Sequence, residues 1–226
     1  MKDTVILIPP SEGKKPGGRG KPLNGISPEV KTMVDRLKEF EGDWEKLLGV
    51  KGKALEQAIH INRQITRSPT LPAIERYAGV VYAGIDYPTL QKTARDFLNT
   101  HVRILSAVFG LIGPEEQIPD YKLKVEKLDA QKFWKPVLNR QMKDKFVIDL
   151  LPQSHRKAVE FDEGISVEFN VIKNGKLVAA GHEGKFIKGR FVRFLCEEKI
   201  TDPKKFSGFR EDGFVWDGSA FVKRTT

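Results

Sequence analysis

Short apolar runs alternate with amphipathic stretches along these 226 residues, the pattern expected of buried strands set between helices. Residues 5–8 form an apolar run stopped by Pro9 and Pro10, which predicts a buried first strand followed by a loop. Gly13, Gly17, Gly18, Gly20 and Gly25 punctuate that loop, alongside Lys14, Lys15, Arg19 and Lys21. Pro28 suits the first turn of a helix running to about residue 40. A helical pair is expected over 43–67, closed by Pro69 and Pro72. Residues 80–82 and 102–108 read as strands with a helix over 88–99 between them, followed by a helix over 130–142 and a buried strand over 146–150. Asn174-Gly175, between 166–173 and 176–180, is the pair that best tolerates the positive φ angles of a type I′ hairpin. Asp217-Gly218-Ser219 separates 214–216 from 220–223 in the same way, and a helix is expected over 182–199. These elements describe an α/β protein, a mixed sheet with surrounding helices. We expect one domain over 1–226 with a helical subdomain near 28–70 that contains a helix-hairpin-helix.

Composition sets the bounds. A chain of this length buries roughly 70% of its unfolded surface and needs no staples. No apolar run approaches the ~20 residues that span a bilayer, and residues 1–8 lack the features of a signal peptide. Cys196 is the only cysteine, so a reducing, cytoplasmic setting is expected. Lys and Arg number 39 against 30 Asp and Glu, a net charge of +9. Such an excess attracts polyanions.

The most specific motif lies in 44–58. Gly49 and Gly52 permit a tight turn between two short helices, Val50 plugs its base, and Ala54 and Ala58 keep the second helix close to the first. Such a hairpin presents free amides at the start of its second helix, where phosphate oxygens are favoured, and Lys51 and Lys53 add charge there. Contacts of this kind read no bases. Gly49, Val50, Lys51, Gly52 and Lys53 are therefore the candidate DNA-binding residues; a plain glycine-capped turn is the alternative.

Two further elements carry candidate chemistry. In the expected helix over 182–199, Ile187, Phe191, Phe194 and Leu195 share an apolar face, while Lys185, Lys188, Arg190 and Arg193 occupy the opposite arc. With Lys14 they form a candidate basic cleft. Ser11, Glu12 and Lys14, just past the first strand, are polar residues at a place where open α/β sheets bind ligands. Ile8 and Lys15 stand where a Walker motif needs Gly and Ser or Thr, so the loop is not a P-loop. Were the protein an enzyme acting on a nucleotide, nucleobase or other anionic small molecule, Ser11, Glu12, Lys14, Ser106 and Asp149 would be its candidate catalytic residues. His60, His101, His155 and His182 are scattered and no Cys-His cluster exists, so neither a metal nor a cofactor is expected.

The chain also resembles the peroxide-stress protein YaaA family. The likeness is carried by residues 5–14, 81–84, 103–110, Phe133-Trp134, 147–150, 185–189, Arg193-Phe194 and 206–209, in family order. It implies a single α/β fold with a helix-hairpin-helix, a positively charged cleft, double-stranded DNA binding and a role in limiting oxidative damage. The opening Pro9-Pro10-Ser11-Glu12-Gly13-Lys14 departs from the Ser-Pro-x-Lys start of longer members and marks a divergent, shorter branch. The family is also linked to lowering free iron. The scattered histidines and lone cysteine offer no chelating site, so that effect would be indirect.

Overall fold

A computed structural model describes residues 3–224; Met1 and Lys2, and the last two positions of the expected 1–226 domain, lie outside the described residues. The first half runs β1 (Asp3–Ile8), α1 (Pro28–Lys38), α2 (Trp44–Leu48), α3 (Gly52–Arg63), β2 (Thr70–Pro72), α4 (Ala73–Arg76), α5 (Val80–Ile85), α6 (Lys92–His101), β3 (Val102–Ser106), β4 (Gly110–Ile112) and β5 (Gln117–Pro119). The second runs α7 (Ala130–Met142), β6 (Lys145–Asp149), α8 (Gln153–Arg156), β7 (Glu163–Ser166), β8 (Phe169–Lys173), β9 (Lys176–Ala179), α9 (Gly181–Glu197), β10 (Val215–Trp216) and β11 (Phe221–Arg224).

The main sheet has the order β4-β3-β1-β6-β7, all parallel except β4. Strands covered on both faces need unbroken apolar runs; residues 5–8 supply one and all four are buried. The chain leaves β1 to one side for β3 and later returns to its other side for β6. That reversal opens a crevice at the strands' carboxyl ends. A second sheet, β10-β11-β8-β9, carries both expected hairpins. Asn174 and Gly175 have φ of 51° and 71°, the positive pair that a type I′ turn requires. β2 and β5 make a third, two-stranded sheet.

α1, α2 and α3 bury Met33, Leu37, Leu48 and Ala58 in the same apolar cluster as β1 and α9. Of the two alanines expected to seat α3, only Ala58 is buried; Ala54 is exposed.

Residues 80–82, expected as a strand, begin helix α5. Val80, Val81 and Tyr82 favour strands locally, but packing overrides that preference. A Cβ on Gly84 would lie 2.4 Å from the Phe186 carbonyl oxygen, and one on Gly189 would lie 2.1 Å from that of Val81. Only two glycine-faced helices approach so closely. The strand expected over 102–108 ends at Ser106, whose hydroxyl accepts the Val108 and Phe109 amides at 3.3 and 3.0 Å and turns the chain into β4. The helix expected over 88–99 begins later, at Lys92, after a short 3₁₀ turn.

Candidate functional site

A cavity of about 820 Å³ opens at the carboxyl ends of β1 and β6. Pro9 to Lys14 form one wall and Pro152, Ser154 and His155, beyond β6, a second. Gly79 to Tyr82 at the start of α5, the 121–126 segment and three residues of α9 complete the enclosure. This is the crevice that the strand order dictates.

The loop after β1 is held by bonds that the sequence does not advertise. Arg76 is fully buried. Its guanidinium donates to the carbonyls of Ile118 at 3.3 Å, Pro69 at 3.1 Å and Lys15. The Ser11 hydroxyl donates to the Ala78 carbonyl at 3.0 Å, and the Lys14 backbone bridges to Tyr77.

Lys14 reaches the interior of the cavity. Its amine lies 4.0 Å from the centre of the Tyr121 ring and 5.3 Å from that of Tyr77, and donates to the Ser11 carbonyl at 3.2 Å. Loss of hydration pulls its pKa down to about 7, against the opposing field of Asp120. Burial in turn raises the pKa of Asp120 itself. Tyr121 passes a hydroxyl chain inward, at 2.8 Å to Tyr77 and 2.9 Å to Ser106.

From α9, Lys185 and Lys188 face the same space. The Lys188 amine donates to the Leu150 carbonyl at 2.5 Å, and desolvation lowers its pKa to about 8. Behind it, His155 Nε2 lies 3.2 Å from Glu126, while His155 Nδ1 is buried without a partner. Desolvation lowers the His155 pKa as well, with Glu126 opposing. Glu12 lies at the rim, 3.0 Å from Lys124 and 3.7 Å from Lys122. Burial works against its ionisation, but the two lysines outweigh that and hold its pKa low.

The remaining candidates lie elsewhere. Ser106 is fully buried beneath Tyr121, occupied by its turn amides and outside the cavity wall. Asp149 is also buried. Its carboxylate accepts the Leu151 amide at 2.8 Å, Arg156 Nε at 2.5 Å and the Ser166 hydroxyl at 3.1 Å, so it ties β6 to α8 and β7. The basic arc of α9 is divided. Lys185 and Lys188 are about 60° apart on the helix, as are Arg190 and Arg193, but the second pair points to another side. Arg190 pairs with Glu211 at 3.0 Å. Arg193 pairs with Glu197 at 2.8 Å and donates to the Ile85 carbonyl and the Thr89 hydroxyl, joining α9 to the end of α5. Only Lys14, Lys185 and Lys188 of the expected cleft meet.

The glycine turn is a separate feature. Gly49 ends α2 at φ 66° and its amide donates to the Glu45 carbonyl at 2.8 Å. Gly52 opens α3 at φ 54°, and beyond the adjoining backbone nothing lies within 4 Å of where a Cβ would sit on either glycine. The start of α3 has no side-chain cap. Val50 packs partly against the core, Lys53 is exposed, and Lys51 pairs with Glu45 at 2.6 Å. At its other end α3 is tied to the chain between the cavity residues Tyr121 and Leu123, where Asn62 donates to the Lys122 carbonyl at 2.9 Å and accepts its amide at 2.8 Å. Ten residues of helix, about 15 Å, separate Gly52 from Asn62.

Residues 4–220 match the family model described as peroxide stress protein YaaA. The chain belongs to this family. Relatives include a UPF0246 protein of Corynebacterium glutamicum (strain R), 32% identical over 85% of this chain and 84% of its own. Others are UPF0246 proteins of Polynucleobacter necessarius, 28% identical over 84% of this chain and 83% of its own, and of Phocaeicola vulgatus, 29% identical over 83% and 82%. Within this YaaA-family chain, no group of three or more potential ligand residues could hold a metal ion among the described residues. No helix there is long and apolar enough to cross a membrane.

Proposed function

We propose that this YaaA-family protein binds double-stranded DNA without sequence preference, as its part in the peroxide-stress response. The observation that carries this reading is the start of α3. It is exposed, uncapped and flanked by two glycines in left-handed conformation with open space around them. A phosphate can approach such backbone closely, and the amides and helix dipole favour its charge. Lys53 adds a cation, and Lys51 can exchange Glu45 for a phosphate at little cost, because both side chains are exposed. Affinity in the non-specific range is expected, about 10⁻⁴ to 10⁻⁶ M at physiological salt, falling with a log–log slope of about −0.9 per phosphate neutralised. Titration of a labelled duplex at several salt concentrations, with random-sequence competitor, tests this; a salt-independent affinity contradicts it.

A second reading follows from the cavity, where Lys14, Lys185 and Lys188 converge on a space large enough for a small anionic ligand. Lys14 and Lys188 hold protons more weakly than ordinary lysines, so a bound anion must recruit those protons. Sulfate, fully ionised across the range, should raise the melting temperature at pH 6 and lose that effect as pH rises past 8. The sign follows from the lysines' neutral forms taking over above about 7 and 8. Thermal melts at constant ionic strength, with chloride as reference, measure it; a sulfate effect that grows with pH contradicts the reading.

A further inference from the structure

We propose that Lys14 is an amine nucleophile that forms an imine with a small carbonyl compound bearing an anionic group, held in the cavity by Lys185 and Lys188. The proposal rests on the cavity reading above and goes beyond it by assigning a covalent step. Three observations lead to it. First, among the described residues no carboxylate lies within ion-pair distance of the Lys14 amine, and Asp120 acts on it only as a nearby field. Glu12, two positions away, is taken by Lys124 at 3.0 Å and Lys122 at 3.7 Å. Among the described residues the Lys14 amine donates one hydrogen bond, to the neutral carbonyl of Ser11 at 3.2 Å.

Second, the amine is fixed in place. Tyr121 lies against it at 4.0 Å, and Tyr121 is itself anchored through its hydroxyl to Tyr77 and Ser106. A solvated, mobile lysine keeps its hydration and its proton. One enclosed by aromatic faces loses hydration and holds its proton weakly, which leaves a large neutral fraction near neutrality. Third, the cavity offers separate places for the two parts of such a ligand. Lys185 and Lys188 from α9 meet the anionic group, while Pro9, Pro10 and Val81 provide apolar wall.

The chemistry balances without an added co-reactant. The neutral amine adds to the carbonyl carbon to give a carbinolamine. Loss of its hydroxyl with a proton from nitrogen then releases water and leaves the C=N bond.

The test uses the intact chain, glyoxylate as the anionic aldehyde, and cyanoborohydride to reduce any imine. Peptide mass spectrometry follows modification of each lysine at pH 7. Sulfate-dependent melting is measured in parallel. Lys14 is expected to react at least about tenfold faster than exposed Lys204, because burial leaves a large fraction of its amine neutral near pH 7, and sulfate should slow Lys14 alone. A Lys14→Arg variant, which cannot form an imine, should lose the fast site while Lys204 keeps its parental rate. Lys14 reacting no faster than Lys204, while sulfate still stabilises the protein, overturns this inference and leaves the cavity reading intact. Slow Lys14 with no sulfate effect overturns both. Fast Lys14 that sulfate neither slows nor stabilises overturns the assignment of an anionic ligand.

Discussion

Replacing Arg76 by methionine is expected to lower the unfolding free energy by about 3–5 kcal/mol, because three buried carbonyls each lose a charged donor at a cost of about 1–3 kcal/mol apiece. The guanidinium reaches three carbonyls from three separate segments, those of Lys15, Pro69 and Ile118. Methionine fills much of the volume but donates nothing, so all three acceptors lose a buried donor. The loss should reach function too, because the Lys15 carbonyl sits one residue beyond Lys14 and its release frees the cavity's first wall. Urea denaturation measures the stability change, and a loss below about 1 kcal/mol would mean that water replaces the guanidinium at little cost. Sulfate stabilisation should disappear in the same variant.

Gly189→Ala is expected to destabilise the protein by about 2 kcal/mol, although the change favours a helix. In a helix interior alanine gains about 1 kcal/mol over glycine. Here the added Cβ would sit 2.1 Å from the Val81 oxygen, 2.8 Å from Gly84 Cα and 2.9 Å from the Ile85 nitrogen. All three are backbone atoms, so no rotamer change relieves the clash and α5 and α9 must separate. Overpacking costs about 1–3 kcal/mol when side chains can adjust, and more when they cannot. The clash wins. Separation would also carry Lys185 and Lys188 away from Lys14, so sulfate should stabilise the variant less than the parent. A neutral or stabilising result would show that the two helices slide apart freely.

How much of this was legible in the sequence differs by element, for physical reasons. Residues 5–8 and the helix over 130–142 read correctly because burial of β1 on both faces leaves an unbroken apolar run and the one-sided packing of α7 leaves a helical period. The Asn174-Gly175 hairpin read correctly because its turn chemistry is local. Helix α5 did not, since Val80-Val81-Tyr82 is strand-like alone and becomes helical only against Gly189, more than a hundred residues away. For the site, the position after β1 marked Ser11, Glu12 and Lys14, and all three line the cavity. Asp149 and Ser106 also lie at strand ends, but their side chains turn inward, a difference of facing that their strand-end positions do not encode. Arg76, Tyr121, Glu126 and His155 were not singled out as site residues at all. Glu75-Arg76 looks like any surface charge pair, and nothing local announces that the guanidinium is enclosed.

DNA binding through the glycine turn is the central claim, and charge reversal there tests it most directly. The measurement compares duplex affinity of the parent with that of Lys51→Glu combined with Lys53→Glu, at low and physiological salt, alongside melting temperatures. Both side chains are exposed, so the fold should tolerate the changes with little loss of stability. The account predicts unaltered melting within a few degrees, clearly weaker binding and a salt slope shallower by about 0.9 for each phosphate no longer neutralised. A double variant that melts like the parent and binds duplex DNA as tightly, with the same salt slope, would contradict it.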